Sequence, residues 1–337
     1  MRKIIVTDTH FGVHNNSVTW LNAQLRVFYE QILTHDNSEC QLIHCGDLFE
    51  SRSAINPLIY NAVDKLIKDL SGSFKEVIII GGNHDYYSPV EAEYNINSLD
   101  MLHLPNNVHV FTQMMYVDGA DLYVPWYQFL HSDSLRECIE ASGAKRVFCH
   151  TDLYSLDAEY LDILSDVTVY SGHIHTPGVL PRNHTVHYNL GSTYALSFTD
   201  CNSTRGYYIL DDDDDAPRFV ENTTCIHYWR LYDEDIVNLE RNLGKDDVVE
   251  LYMSVENIDK DKYIHAVNEW KEKYNSTLIL RRNYKDQEIN IESYDIERAC
   301  DDMIPEHLKE IYRSVKERYH EHYTQYKRAE AEEERPV

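Results

Sequence analysis

The stretch VIIIGGNHD, residues 77–85, joins four apolar β-formers to a glycine pair, then to an amide, an imidazole and a carboxylate. A short, wholly apolar run bounded by glycine reads as a strand buried on both faces, the habit of a parallel sheet. Asn83, His84 and Asp85 then either close a turn or begin a site. The same pattern occurs four more times: Asp8-Thr9-His10 after IIVT, Gly46-Asp47 after LIHC, His150 after VFC, and Gly172-His173-Ile174-His175 after TVY. Singly, each is weak. A lone Asp-x-His is often a surface loop, a Gly-Asp pair is often a turn, and one histidine is often a hydrogen-bonded core residue. Together they end five different strands, and ligands of open α/β sheets gather beyond the carboxyl ends of strands.

The surrounding chain supports that architecture. Strands are expected at 3–7, 41–45, 77–80, 146–149 and 167–170, with short β segments over 108–124 and a turn at Asp118-Gly119. Helices are expected at 18–34, where Leu21, Leu25, Phe28 and Ile32 form one stripe, at 57–70 with Pro57 in the first turn, and at 133–142. Repeated βα units make the fold class α/β. Beyond His175 the texture changes. Residues 179–191 and 205–211 read as antiparallel strands, Asp211–Asp215 as a solvated turn, 247–281 as β-α-β, and the chain from Pro305 as an amphipathic helix.

Composition excludes several classes. The 337 residues include 31 Lys+Arg against 57 Asp+Glu, a formal charge of -26, which argues against unaided nucleic-acid binding. Seven scattered cysteines without a CxxC pair fit reduced thiols, hence a cytoplasmic-type compartment rather than a disulfide or zinc framework. No membrane span and no signal peptide are expected.

Asp, Asn and His are oxygen and neutral-nitrogen donors, suited to Mn, Zn, Fe or Mg. Seven or so are too many for one tetrahedral ion, so the residues point to two metals with a shared carboxylate. Two such ions generate a nucleophile near neutral pH and neutralise a phosphate. The pair His173 and His175 would share a face on a strand; in a loop after glycine it need not.

DTHFG, GDLFE, GGNHD, the histidine after VFC, and SGHIH together resemble the calcineurin-like metallophosphoesterase signature over residues 1–200. GDLF, with LGSTYALSF and Arg205-Gly206 downstream, resembles the nuclease subunit of SbcC–SbcD type double-strand-break repair complexes, phage recombination exonuclease subunits in particular. The resemblance implies a four-layer α/β/β/α sandwich over 1–204, a small α+β capping domain over 205–292, and a helical tail over 293–337 that docks on an SMC-like ATPase. It implies that Asp8, His10, Asp47 and His175 hold one metal, and that Asp47, Asn83, His150 and His173 hold the other. Asp47 would bridge. His84 would contact the scissile phosphate and protonate or stabilise the departing oxygen, with Asp85 orienting His84. Mn²⁺ is the implied ion, Mg²⁺ the alternative.

The implied function is a DNA nuclease, 3′–5′ exonuclease on duplex ends and endonuclease on single strands, serving repair and recombination. The implied partners are DNA, the ATPase and a second copy meeting through helices 18–34 and 57–70, in the host cytoplasm for a phage-encoded chain. Some relatives carry His or Asp where this chain has Glu50; a carboxylate there is expected to spare the metals and to bear on phosphate contact or on the balance of exo- and endonuclease activity. His14, His44 and Cys45 are read as packing or supporting residues. Two other readings stay open: a phosphodiesterase or phosphatase for small substrates, and a silent scaffold for the ATPase.

Overall fold

The computed structural model describes residues 1–88, 96–126, 132–182, 184–212, 214–232, 243–244, 246–254 and 277–283. The chain divides into two compact units, Met1–Asn283 and Tyr284–Val337. The second lies outside the described residues, and with it the expected tail helix and partner-docking region.

Two six-stranded mixed sheets form the body of the first unit. One has the order β12 (Arg218–Glu221), β11 (Gly206–Leu210), β1 (Lys3–Val6), β2 (Gln41–Cys45), β3 (Glu76–Ile80), β4 (Val108–Phe111). Strands β1 to β4 are mutually parallel, and β11 returns antiparallel to β1, with Ile4 opposite Ile209. The other has the order β5 (Tyr116–Asp118), β6 (Asp121–Val124), β7 (Arg146–His150), β8 (Thr168–Gly172), β10 (Val186–Asn189), β9 (Gly178–Pro181). Here β6, β7, β8 and β10 run parallel, and β5 and β9 close the two edges as antiparallel hairpins.

Alternation along each strand sets the layers. Ile4, Val6, Leu42, Val77 and Ile79 pack against Leu21 of helix α2 (Val18–Arg26), which follows the single turn α1 (Val13–Asn16), against Phe28 and Ile32 of its π-helical continuation Val27–Ile32, and against Val63, Leu66 and Leu70 of α3 (Pro57–Ser73). The intervening residues Ile5, Ile43, Ile78 and Ile80 face Tyr123, Phe148 and Tyr170 of the second sheet. Those rings continue a stacked row across the strands, with centroids 5.5 Å apart for Tyr123–Phe148 and 4.9 Å for Phe148–Tyr170. The outer face of the second sheet, Leu122, Val147 and Val169, is covered by Leu135 of α4 (Ser132–Ser142) and Ile163 of α5 (Ala158–Ile163). The result is the four-layer α/β/β/α sandwich.

The boundary between 204 and 205 does not fall where the texture changes, because β11 and β12 are hydrogen-bonded into the first sheet as far as Glu221. Helix α5 has no long apolar stripe; Asp157 caps it by accepting from the N–H groups of Glu159 and Tyr160 at 3.0 and 3.1 Å. Asp211 lies in the exposed turn that was expected, where Arg2 Nε donates to it at 2.6 Å. A third sheet pairs β13 (Tyr228–Tyr232), β14 (Val248–Ser254) and β15 (Thr277–Asn283), all parallel. Parallel β14 and β15 fit the expected β-α-β, whose helix lies outside the described residues. Among the described residues, no helix is long and apolar enough to cross a membrane.

Candidate metal centre

The five polar segments meet at one edge of the sandwich. Asp8 and His10 follow β1, Asp47 follows β2, and Asn83 and His84 follow β3; from the facing sheet come His150, the last residue of β7, and His173 and His175 beyond β8. The backbone bends sharply to bring them in. Asp8, His10, Asp47 and His173 all have positive φ, at 49°, 42°, 55° and 90°. Each such residue costs about 1–3 kcal/mol, which only a tightly determined surrounding sustains. Here Asp8 N–H donates to Gly46 O at 3.1 Å and His10 N–H to Asp47 O at 3.0 Å, so the first two loops hold each other. His84 N–H donates to Asp47 Oδ1 at 2.8 Å, and His173 N–H to both Asp8 carboxylate oxygens at 3.2 Å.

Glycine is obligatory at two of these crossings. A Cβ at Gly82 would overlap the Asp47 carboxylate, and one at Gly172 would overlap Thr7 Oγ1 and lie 2.8 Å from Asp8 Oδ2. The glycines of GGNHD and SGHIH therefore mark where one ligand loop passes over another.

Three groups of donors converge within 4.8 Å of one another: Asp8, His10 and His175; His10, Asp47 and His84; Asp47, His150 and His173. Asp47 Oδ2 is central, 3.5 Å from His10 Nε2 and 3.3 Å from His150 Nε2. Asn83 Oδ1 lies 3.0 Å from His150 Nε2 and 2.8 Å from His173 Nδ1. On the other side, Asp8 Oδ1 is 3.9 Å from His10 Nε2 and 3.8 Å from His175 Nε2. Separations of this size are those between neighbouring donors around an ion with bonds of roughly 2.0–2.2 Å. His10 Nε2 is buried without a hydrogen-bond partner yet aimed at two carboxylates, an arrangement that a cation between them would complete. His150 Nδ1 donates to Cys45 O at 2.8 Å, which leaves Nε2 as its ligand atom. The donor set fits divalent metal.

Without a cation, protons balance the charge. Burial disfavours protonated His150, but the Asp47 carboxylate overrides it and pushes the pKa up to about 9. His10 is raised too, burial being outweighed by Glu50, Asp47 and Asp8. Burial likewise opposes ionisation of Asp47, yet the His150 and His10 imidazoles hold it well below the carboxylate range. His173 and His175 are lowered, mainly by burial.

All seven expected ligands and His84 are thus brought together. Asp85 is placed differently. Its buried carboxylate accepts from the N–H groups of Gly82 at 2.9 Å, Phe49 at 3.2 Å and Leu48 at 3.4 Å, tying the GDLFE and GGNHD loops together instead of touching the His84 ring. Burial, with the charge of Asp47, lifts it to about 7. The His84 ring is held by Glu50, because Nδ1 donates to the Glu50 carbonyl at 2.9 Å.

Glu50 also contributes its side chain, with Oε2 2.7 Å from His10 Nδ1. A carboxylate against the far nitrogen of a ligating histidine fixes tautomer and ring orientation. The sequence ties Glu50 to phosphate contact or to the exo- and endonuclease balance, and carries no sign of this contact with His10. It also gave no role to Arg205, whose fully buried guanidinium donates to the His175 carbonyl and, at 2.9 Å, to Asp200. Tyr194 and Gln24 hold the first loop in the same way, the Tyr194 hydroxyl donating to Thr9 O and Gln24 Nε2 to Thr9 O at 2.7 Å. The signal was present in LGSTYALSF and Arg205-Gly206, as marks of resemblance without a physical role.

His44 and His14 are supporting residues. His44 Nε2 lies 2.9 Å from Thr9 Oγ1, and burial drops its pKa to about 4. His14 Nε2 meets Leu196 O at 2.8 Å and the Tyr228 hydroxyl at 2.9 Å, joining the first loop to β13. Cys45 is buried, and its carbonyl accepts from Thr7 Oγ1 as well as His150.

Residues 1–215 match the family described as calcineurin-like phosphoesterase superfamily domain. The chain is 25% identical over 243 residues to exonuclease subunit 1 of Enterobacteria phage T4, covering 67% of this chain and 69% of that one. Among solved structures, Pseudomonas putida nuclease MPE aligns at 15% identity over 64% of this chain and 87% of its own, with a TM-score of 0.33. The phosphopantetheinyl hydrolase of Mycobacterium tuberculosis aligns at 12% identity over 64% and 97%, with a TM-score of 0.34.

Proposed function

Because the chain belongs to the calcineurin-like phosphoesterase superfamily, a group of metal-dependent phosphoesterases, we propose that it is a two-metal DNA nuclease. The observation that carries the reading is the place of Asp47, within 3.5 Å of histidines from both donor groups. Likeness to a phage exonuclease subunit supports DNA as substrate.

Asp8, His10, Asp47 and His175 would hold one ion, and Asp47, Asn83, His150 and His173 the other, with Mn²⁺ favoured over Mg²⁺. When bound, the ions supply a nucleophile near neutral pH and neutralise charge on the phosphodiester. The chain's own part is positional and acid–base. His84, pinned through Nδ1 to Glu50 O, keeps Nε2 for the scissile phosphate and the departing oxygen. Asp85 fixes the spacing of the loops carrying Asp47 and Asn83. An SMC-like ATPase, engaged through residues 293–337, and a second copy would supply the duplex grip that an acidic chain lacks, with the third sheet as cap.

The test is Mn²⁺-dependent degradation of linear duplex and single-stranded DNA, with bis(p-nitrophenyl) phosphate as small substrate. Expected are DNA cleavage by the wild type, its loss with a chelator, and a rate about 10²–10⁴-fold lower for His84→Ala. Hydrolysis of the small diester with DNA left intact would replace this reading by a small-substrate phosphodiesterase. Inertness toward both, with the ATPase present, would replace it by a scaffold.

A further inference from the structure

The two most exposed tyrosine, phenylalanine or tryptophan side chains among the described residues are Tyr87, 60% exposed, and Tyr154, 56% exposed. Both leave the metal centre. Tyr87 follows His84 by three residues, on a loop held by its N–H donating to Ile96 O at 2.8 Å. Tyr154 follows His150 by four, its N–H held by Asp152 Oδ1 at 2.9 Å. The Tyr154 hydroxyl lies so close to Gly178, three residues after His175, that a Cβ there would overlap it. One exposed ring therefore flanks the GGNHD loop, and the other flanks the loops carrying His150, His173 and His175.

A third feature lies on the GDLFE loop. Arg52, two residues past Glu50, is half-buried with no carboxylate or hydrogen-bond partner among the described residues, and its Nε is buried. Arg2, Arg26, Arg136, Arg146, Arg205 and Arg230 each meet an acid, and Arg182 donates to Leu153 O at 3.1 Å; Arg218, on the exposed strand β12, meets no acid among the described residues either, but lies outside the donor loops. In a chain of charge -26, a half-buried guanidinium two residues past Glu50, without a carboxylate among the described residues, is available to an anion from outside.

A single exposed tyrosine is ordinary on a protein surface; what sets these two apart is their place beside the donor loops, and stacking on a base is attraction that requires no net positive charge. We propose that Tyr87 and Tyr154 are stacking platforms for unpaired nucleobases on either side of the phosphate held at the metal centre, and that Arg52 contacts a neighbouring phosphate. This rests on the nuclease reading and narrows it: the strand enters the site unpaired, and grip comes from base faces more than from backbone charge.

The experiment compares kcat/KM on a single-stranded oligonucleotide, on an abasic oligonucleotide of equal length, and on bis(p-nitrophenyl) phosphate. The ratio between substrates cancels any loss of folded protein, since all three see the same folded fraction. The wild type is expected to favour the base-bearing strand. Tyr87→Ala and Tyr154→Ala should each lower the ratio of base-bearing to abasic strand about 5- to 100-fold, with Phe at either position restoring it. Arg52→Gln should leave that ratio and reduce the steepness of log affinity against log salt by about 0.7, one phosphate contact on a single strand. A wild type that cuts both oligonucleotides equally, or Ala variants that keep the ratio, overturn the stacking proposal and spare the nuclease reading. A wild type that turns over only the small diester overturns both.

Discussion

The two ends of the same sandwich treat charge in opposite ways. At the amino ends of the strands, Asp121 is buried between two cations, 3.0 Å from Lys3 Nζ and 2.5 Å from Arg146 Nε. At the carboxyl ends, Asp8 and Asp47 are as deeply buried, and the groups facing them are imidazoles, backbone N–H groups and the Thr7 hydroxyl, with no lysine or arginine paired to them among the described residues. Backbone conformation divides likewise, with four strained candidate ligand residues at the carboxyl ends. One end is built to be satisfied by the chain itself, the other to be completed from outside.

Removing a carboxylate at each end should therefore give opposite phenotypes. Asp47→Asn is expected to lower phosphodiester turnover on the order of 10³-fold, while its cost to metal-free stability, the lost pairing with protonated His150, should fade as pH rises through about 9, measured by kinetics and by urea unfolding across pH. Asp121→Asn should cost about 3–5 kcal/mol of unfolding free energy by leaving Lys3 and Arg146 partly unpaired, while turnover per folded molecule stays near wild type. Equal stability losses at the two positions would break the comparison.

A smaller effect isolates Glu50. Glu50→Gln should weaken metal affinity about 10–100-fold by calorimetric titration, with Glu50→Asp recovering part of it, because the carboxylate orients His10 without itself being a ligand. Unchanged affinity in Glu50→Gln would show that the 2.7 Å contact is incidental.

Proton substitution for metal sharpens the contrast further. In metal-free protein His150 titrates near 9, above its ordinary value, so its pairing with Asp47 stabilises fully below about pH 6.5 and fades as pH rises through about 9. Denaturation curves between pH 6 and 10 should show that decline for stripped protein and a weaker one with Mn²⁺, which binds neutral imidazole.

Legibility followed the range of the interactions. The candidate ligands were readable because each closes an apolar strand whose period and boundary are local: VIIIGGNHD states strand, release and donor in nine residues. The supporting contacts were not. Arg205 reaches the His175 carbonyl only because β11 returns across 200 residues to pair with β1, and no local pattern encodes that pairing. The same return moved the expected boundary at 204. Asp85 misled for a related reason: adjacency to His84 suggested a contact, whereas its carboxylate turns inward to the amides of another loop. Helix α5 depended on one capping aspartate and carried too few apolar residues to announce itself.

The central claim is that Asp47 joins two ions. Titration of metal-free protein with Mn²⁺, followed by electron paramagnetic resonance, tests it most directly. Two ions per chain with a spin-coupled spectrum are expected, and Asp47→Asn should abolish the coupling. One ion per chain, or two that are magnetically isolated in the wild type, would contradict the account.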